Sequence, residues 1–210
     1  MEKININGNR YYEKDGKRYP SVTSILKYYP KGPGFYTWLS SVTKEEAERI
    51  RDTAGEQGNN VHNAIEAYLR NEEIDYDKLT SKESELIVVF LDWYKELLDN
   101  HKVEIIALEL PVLNIFNGYA GTVDMVLKID DVYWIVDIKT SNYVQASHKL
   151  QLSAYKHSNW FGDKTVYGSP IPKMGIIHLK SKKFIEVEDC FDVFLAVFKI
   201  FKFETKNLNI

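Results

Sequence analysis

Asp124, Asp137 and Lys139 are the residues whose types and spacing point to chemistry. Asp137 and Lys139 are two apart, so in an extended strand they share one face while Val136 and Ile138 point to the other. The run Val132 to Ile138 is rich in β-branched and aromatic residues, and Asp124 lies within another run, Thr122 to Ile129, that roughly alternates polar and apolar. A carboxylate and an ammonium in such apolar company need partners, because an isolated buried charge is strongly unfavourable. A divalent metal held by Asp124 and Asp137, with Lys139 beside it, would satisfy all three.

The element that must position them is a β-hairpin within Gly118 to Ser141, with Asp130-Asp131 supplying the turn chemistry. Upstream, Gly58 to Arg70 has Val61, Ala64, Ile65 and Tyr68 at helical spacing, with His62 and Glu66 one turn apart on one face. A lone histidine there is either a satisfied imidazole or a ligand. Downstream, Ser147 to Phe161 reads as a helix that stacks Gln151 on Tyr155, either as ordinary packing or as part of a site.

Four short motifs in order give a family resemblance: Gly58-Asn-Asn-Val-His62, Gly121-Thr-Val-Asp124, Asp137-Ile-Lys-Thr140 and Gln151-Leu-Ser-Ala-Tyr155. Together they resemble the PD-(D/E)XK nucleases, in particular the RecB-type exonuclease branch, over roughly residues 20 to 180. Pro20 to Leu26 is similar to the opening of the mitochondrial genome-maintenance exonucleases and their phage relatives. The resemblance implies an α/β fold with a restriction-endonuclease-like core, a central mixed sheet flanked by helices. It implies a DNA exonuclease that uses one or two Mg²⁺ or Mn²⁺ ions and acts on single strands or duplex ends. Asp124 and Asp137 would then be metal ligands, completed by the Ile138 carbonyl and His62, with Lys139 acting on the attacking water or the phosphate. Glu66, Glu109, Gln151 and Tyr155 would support the site. Ser21, Thr23, Thr140 and Lys149 are the candidate DNA contacts, although Ser21 or Thr23 fits a helix cap equally well. A structure-specific endonuclease or resolvase on the same fold, and a non-catalytic nucleic-acid-binding module, are the rival readings.

Composition narrows the setting. The chain has 210 residues, 44% of them hydrophobic, enough for one core and read as one domain. Its expected parts are a peripheral hairpin at 1–19 about Asp15-Gly16, a mainly helical part at 20–101, a catalytic sheet and helix at 102–188, and a closing helix at 189–210. Within the helical part, Phe35 to Leu39, Glu45 to Ala54, Gly58 to Arg70 and Glu83 to Leu98 read as separate helices. A net charge of −3 supplies no global basic field, so DNA would have to meet a local patch. The single cysteine, Cys190, excludes a disulfide framework and a four-cysteine iron–sulfur cluster. No run is long and apolar enough for a membrane span, and the N-terminus lacks signal-peptide character. A reducing cytoplasm, bacterial or phage-encoded, with a recombination or replication protein as partner, is the expectation.

Overall fold

A computed structural model of the chain describes residues 1–159 and 173–206. The first strands, β1 (Glu2–Ile6), β2 (Asn9–Lys14) and β3 (Lys17–Pro20), form an antiparallel sheet in that order. Both turns have two successive residues at positive φ, Asn7-Gly8 and Asp15-Gly16, as tight hairpin connections require. The sequence reading found the second turn and missed the first. Nor is this unit a loose cover, since Tyr11 and Tyr12 are each only 2% exposed. They are adjacent in a strand and so point to opposite faces, which means that both faces of β2 are covered. The Tyr12 hydroxyl lies 2.9 Å from Thr122 Oγ1, tying this sheet to the central one.

Four helices follow: α1 (Val22–Ile25), α2 (Pro33–Ser41), α3 (Lys44–Leu69) and α4 (Ser81–Asn100). The stretches expected as two helices, 45–54 and 58–70, form the single 26-residue α3. Gly55 and Gly58 lie at the junction of the two stretches, but an interior glycine costs only about 1 kcal/mol, and packing of the C-terminal third outweighs it. The buried residues of α3, Val61, Ala64, Ile65 and Leu69, all lie in that third. α4 opens with a capping box: Thr80 Oγ1 accepts from the Glu83 N–H, and the Glu83 carboxylate accepts from the Thr80 N–H.

The central sheet has the order β4 (Val103–Asn114), β5 (Tyr119–Ile129), β6 (Val132–Lys139), β7 (Lys173–His178) and β8 (Lys183–Glu186). It is mixed: every pairing is antiparallel except β6 with β7, which is parallel. A parallel pair needs a crossover, and α5 (Ala146–Lys156) lies in that connection. Helix α6 (Phe191–Thr205) closes the described chain. The helix expected to reach Phe161 ends at Lys156; Phe161, and the expected strand start at Pro172, lie outside the described residues.

The sheet is covered on both faces. Ile135, Met174 and Ile176 pack in one cluster with α1, α5 and α6, whereas Val136, Ile138 and Ile177 pack in another with α3 and α4. Along β6 the two sets alternate, so Asp137 and Lys139 fall on the α5 side and Ile138 on the α3 side. The protein is thus α/β, a mixed five-stranded sheet flanked by helices. Among the described residues no helix is long and apolar enough to cross a membrane.

Candidate active site

Two groups of side chains meet at Ile138. On the α3 side, His62 Nε2 lies 3.0 Å from the Ile138 carbonyl oxygen, and His62 Nδ1 lies 3.5 Å from Asp124 Oδ2. That same Asp124 oxygen accepts the Ile138 N–H at 2.9 Å. Asp124 is therefore fixed by the backbone of the neighbouring strand, and His62 is brought onto both by α3.

Glu109 completes this group. It lies on β4 between the ladder pairs Leu108–Met125 and Leu110–Val123, which places it across from Asp124. Like charges directly opposite in a sheet repel. Glu109 also has φ +47°, a left-handed conformation that is strained for a long side chain. Burial raises its carboxyl above the ordinary glutamate range, and the Asp124 charge raises it further. Ligand atoms of His62, Glu109 and Asp124 all lie within 4.8 Å of one another. Two partly buried carboxylates and an imidazole, with a carbonyl oxygen beside them, form a donor set that fits a hard or borderline divalent cation.

On the α5 side, Asp137 is 1% exposed and Lys139 Nζ sits 2.5 Å from its Oδ2. The contact is ionic and poorly directed as a hydrogen bond. Gln151 braces the pair, donating from Nε2 to Asp137 Oδ1 at 3.1 Å and accepting from Lys139 Nζ at 3.3 Å on Oε1. Burial pushes the Asp137 carboxyl up to about 6; the Lys139 ammonium opposes this and the Asp124 charge adds to it. Burial disfavours the Lys139 charge, but Asp137 and Asp124 outweigh that and hold its pKa above the usual lysine value. Asp137 thus has both oxygens engaged and stands behind the His62–Glu109–Asp124 group.

The remaining candidates are placed as follows. Tyr155 is buried, with its hydroxyl accepting from Gln151 Nε2 at 3.1 Å and its ring lying on Gly121. It works as a brace under the site. Glu66 is ion-paired with Arg70 at 2.7 Å, one turn along α3. Ser21 is buried and its Oγ accepts from the Ser24 N–H as the cap of α1, whereas Thr23 and Lys149 are exposed. Thr140 is half-buried and faces Gly58, where a Cβ would approach its Oγ1 to 3.4 Å.

Three positioning contacts lay outside the sequence reading. Asn60 Nδ2 donates to the buried Glu83 carboxylate at 2.9 Å, linking α3 to the capped end of α4. The pattern Thr80-Ser-Lys-Glu83 is a capping-box signal that would have found half of this. His178 Nε2 lies 2.8 Å from the Ser141 carbonyl oxygen and holds the chain just past Lys139. His148 Nδ1 accepts the Gln145 N–H at the start of α5. No sequence signal marks either histidine. No protein-family model matches the chain, and no curated protein matches it.

Proposed function

We propose that the protein is a metal-dependent deoxyribonuclease with a restriction-endonuclease-like core, of the RecB-type exonuclease kind. The observation that carries this reading is the meeting of His62, Glu109 and Asp124, from α3, β4 and β5, beside the Ile138 carbonyl. Glu109 and Asp124 oppose each other; the Lys3 charge acts on Glu109 and the Lys139 charge on Asp124, and a bound cation would offset the repulsion that remains. His62, Glu109, Asp124 and the Ile138 carbonyl would hold Mg²⁺ or Mn²⁺, while Asp137 is engaged by Lys139 and Gln151. Such an ion supplies Lewis-acid chemistry, lowering the pKa of water and offsetting charge on a phosphate.

The chain's own groups do the rest. Asp137 and Gln151 aim the Lys139 ammonium, and the two carboxylates keep it protonated. A fixed ammonium beside the cation group can orient an attacking water or stabilise a phosphorane-like transition state. The Ile138 N–H holds Asp124 in place, so the acid needs no reorganisation when substrate arrives.

End-labelled single- and double-stranded DNA with Mn²⁺ or Mg²⁺ tests the reading. Wild type is expected to shorten the labelled strands and leave closed plasmid circles intact. Asp124→Asn should abolish cleavage while leaving DNA binding measurable, because most phosphate contacts arise elsewhere. Full activity of Asp124→Asn would remove the site assignment, and cutting of closed circles would favour the endonuclease alternative.

A further inference from the structure

Helix α6 is apolar on two sides. Phe194, Val197, Phe198 and Phe201 are buried and fasten it to the core. Val193, Ala196, Ile200 and Phe203 lie on the other side and are exposed, Ile200 by 47% and Phe203 by 78%. A surface helix of a globular protein has one apolar stripe and a polar opposite face, so the second stripe is the one that needs a cover.

Its spacing says what kind of cover. The four residues are three, four and three apart, the a and d sites of a heptad, by which one helix sets knobs into the holes of another lying alongside it. Val193 and Ile200 fall at the a sites, where β-branched residues favour two parallel helices; Ala196 and Phe203 stand at the d sites. The charges beside the stripe agree. Lys199 is at a g site and Glu204 at the e site five positions on, so in a parallel pair of α6 helices each Lys199 meets Glu204 of the other copy. Antiparallel pairing, a against d, would instead bring the two Lys199 together at the axis. Lys199 and Glu204 are both exposed, and neither has an ion pair among the described residues. Lys202 is engaged on its own chain, donating to the Asn117 carbonyl at 3.2 Å with its ammonium over the Phe198 ring, so it does not disturb the match.

A stripe whose flanking charges complement themselves across a two-fold axis selects a second copy of this chain. We propose that the protein forms a parallel two-fold dimer through the outer face of α6. The proposal is independent of the nuclease reading. The contact is about three helical turns long, at the small end of specific interfaces, so the dimer is reversible and depends on concentration. Because α6 is already held against the core, pairing carries no cost of forming the helix.

Sedimentation velocity of the full chain, from low micromolar to several hundred micromolar, tests this. Wild type should pass from monomer to dimer across that range. Ile200→Glu sets like charges against each other inside the contact and should raise Kd at least about a hundredfold, with an unchanged melting temperature in dilute solution. Phe203→Ser, at a more exposed position, should raise it about tenfold and decides the matter if Ile200→Glu does not fold. Lys199→Glu and Glu204→Lys should each weaken the dimer about tenfold, and the two together should return it to within about threefold of wild type. A wild type that stays monomeric overturns the proposal and leaves the face to a different partner. A dimer indifferent to Ile200→Glu and Phe203→Ser overturns it as well, and so do single charge exchanges that the double exchange fails to rescue.

Discussion

Glu109 and Asp124 face one another across β4 and β5, and that repulsion is a liability for the metal-free fold. Because the folded-state pKa of Glu109 lies above its unfolded value, the folded form holds the proton more tightly. Stability is then greatest where both states are protonated and falls as pH climbs past the ordinary glutamate range. Glu109→Gln cannot ionise. Without metal it is expected to be more stable than wild type near pH 8, by up to about 1 kcal/mol, with the difference closing near pH 4. Thermal melts in a chelator across that range check this. Adding Mn²⁺ should raise the melting temperature of wild type more than that of Glu109→Gln, since the substitution removes a ligand. Equal metal shifts in the two proteins would exclude Glu109 from the cation group. Lys139→Ala should behave differently, keeping the Mn²⁺-induced shift while losing turnover, because Lys139 bonds to Asp137 and Gln151 and not to the His62 group.

At the scale of elements, the hairpin of β5 and β6 is held against α5 by a close approach that only glycine permits. A Cβ at Gly121 would lie 2.3 Å from Tyr155 Cε1, inside any real contact. Gly121→Ala should therefore cost about 1–3 kcal/mol in denaturant unfolding and disturb Gln151 above the ring. Tyr155→Phe, which keeps the ring and loses only the hydroxyl, should cost less. If Gly121→Ala is neutral, Tyr155 does not brace the site. The sequence announced this arrangement well. Period-two alternation located β5 and β6 and put Asp137 and Lys139 on one face, where the two form an ion pair. What it lacked was long-range register. Nothing local says that Glu109 would sit opposite Asp124 in a left-handed conformation, or that Asp137 would close on Lys139 and leave Glu109 grouped with His62 and Asp124. The fused α3 was missed because what holds its two stretches together, packing of Val61 and Ile65 on β5 and β6, is not a local signal.

Across the whole molecule the two apolar layers on the sheet are separate clusters, and the site spans the boundary between them at Ile138. His62 and Asp124 therefore report on the α3 layer, and Lys139 and Gln151 on the α5 layer. Loss of packing in one should affect the two halves of the site unequally. Asn60 and Glu83 couple α3 to α4 near the first half. Asn60→Ala leaves the buried Glu83 oxygen short of a donor and is expected to cost about 1–3 kcal/mol. It should also weaken metal binding through His62 before it affects Lys139; an unaltered Mn²⁺ affinity would show that the two helices are coupled only for stability.

The single long α3 has a further consequence, for amide exchange. Its residues 44 to 57 have no buried side chain, whereas Val61 is fully enclosed. A helix anchored only at one end opens from the other, so exchange with deuterium should be fast over the first four turns or so and slow steeply on approaching Val61. His62 lies just inside that boundary. Fluctuations that melt the outer turns then stop one residue short of the imidazole, and protection at residues 61 to 65 should survive in conditions where residues 44 to 57 have fully exchanged. The outer turns can thus open without loosening the histidine beside Asp124. A uniform exchange rate along the helix would mean that α3 opens as one unit and that His62 is released with it.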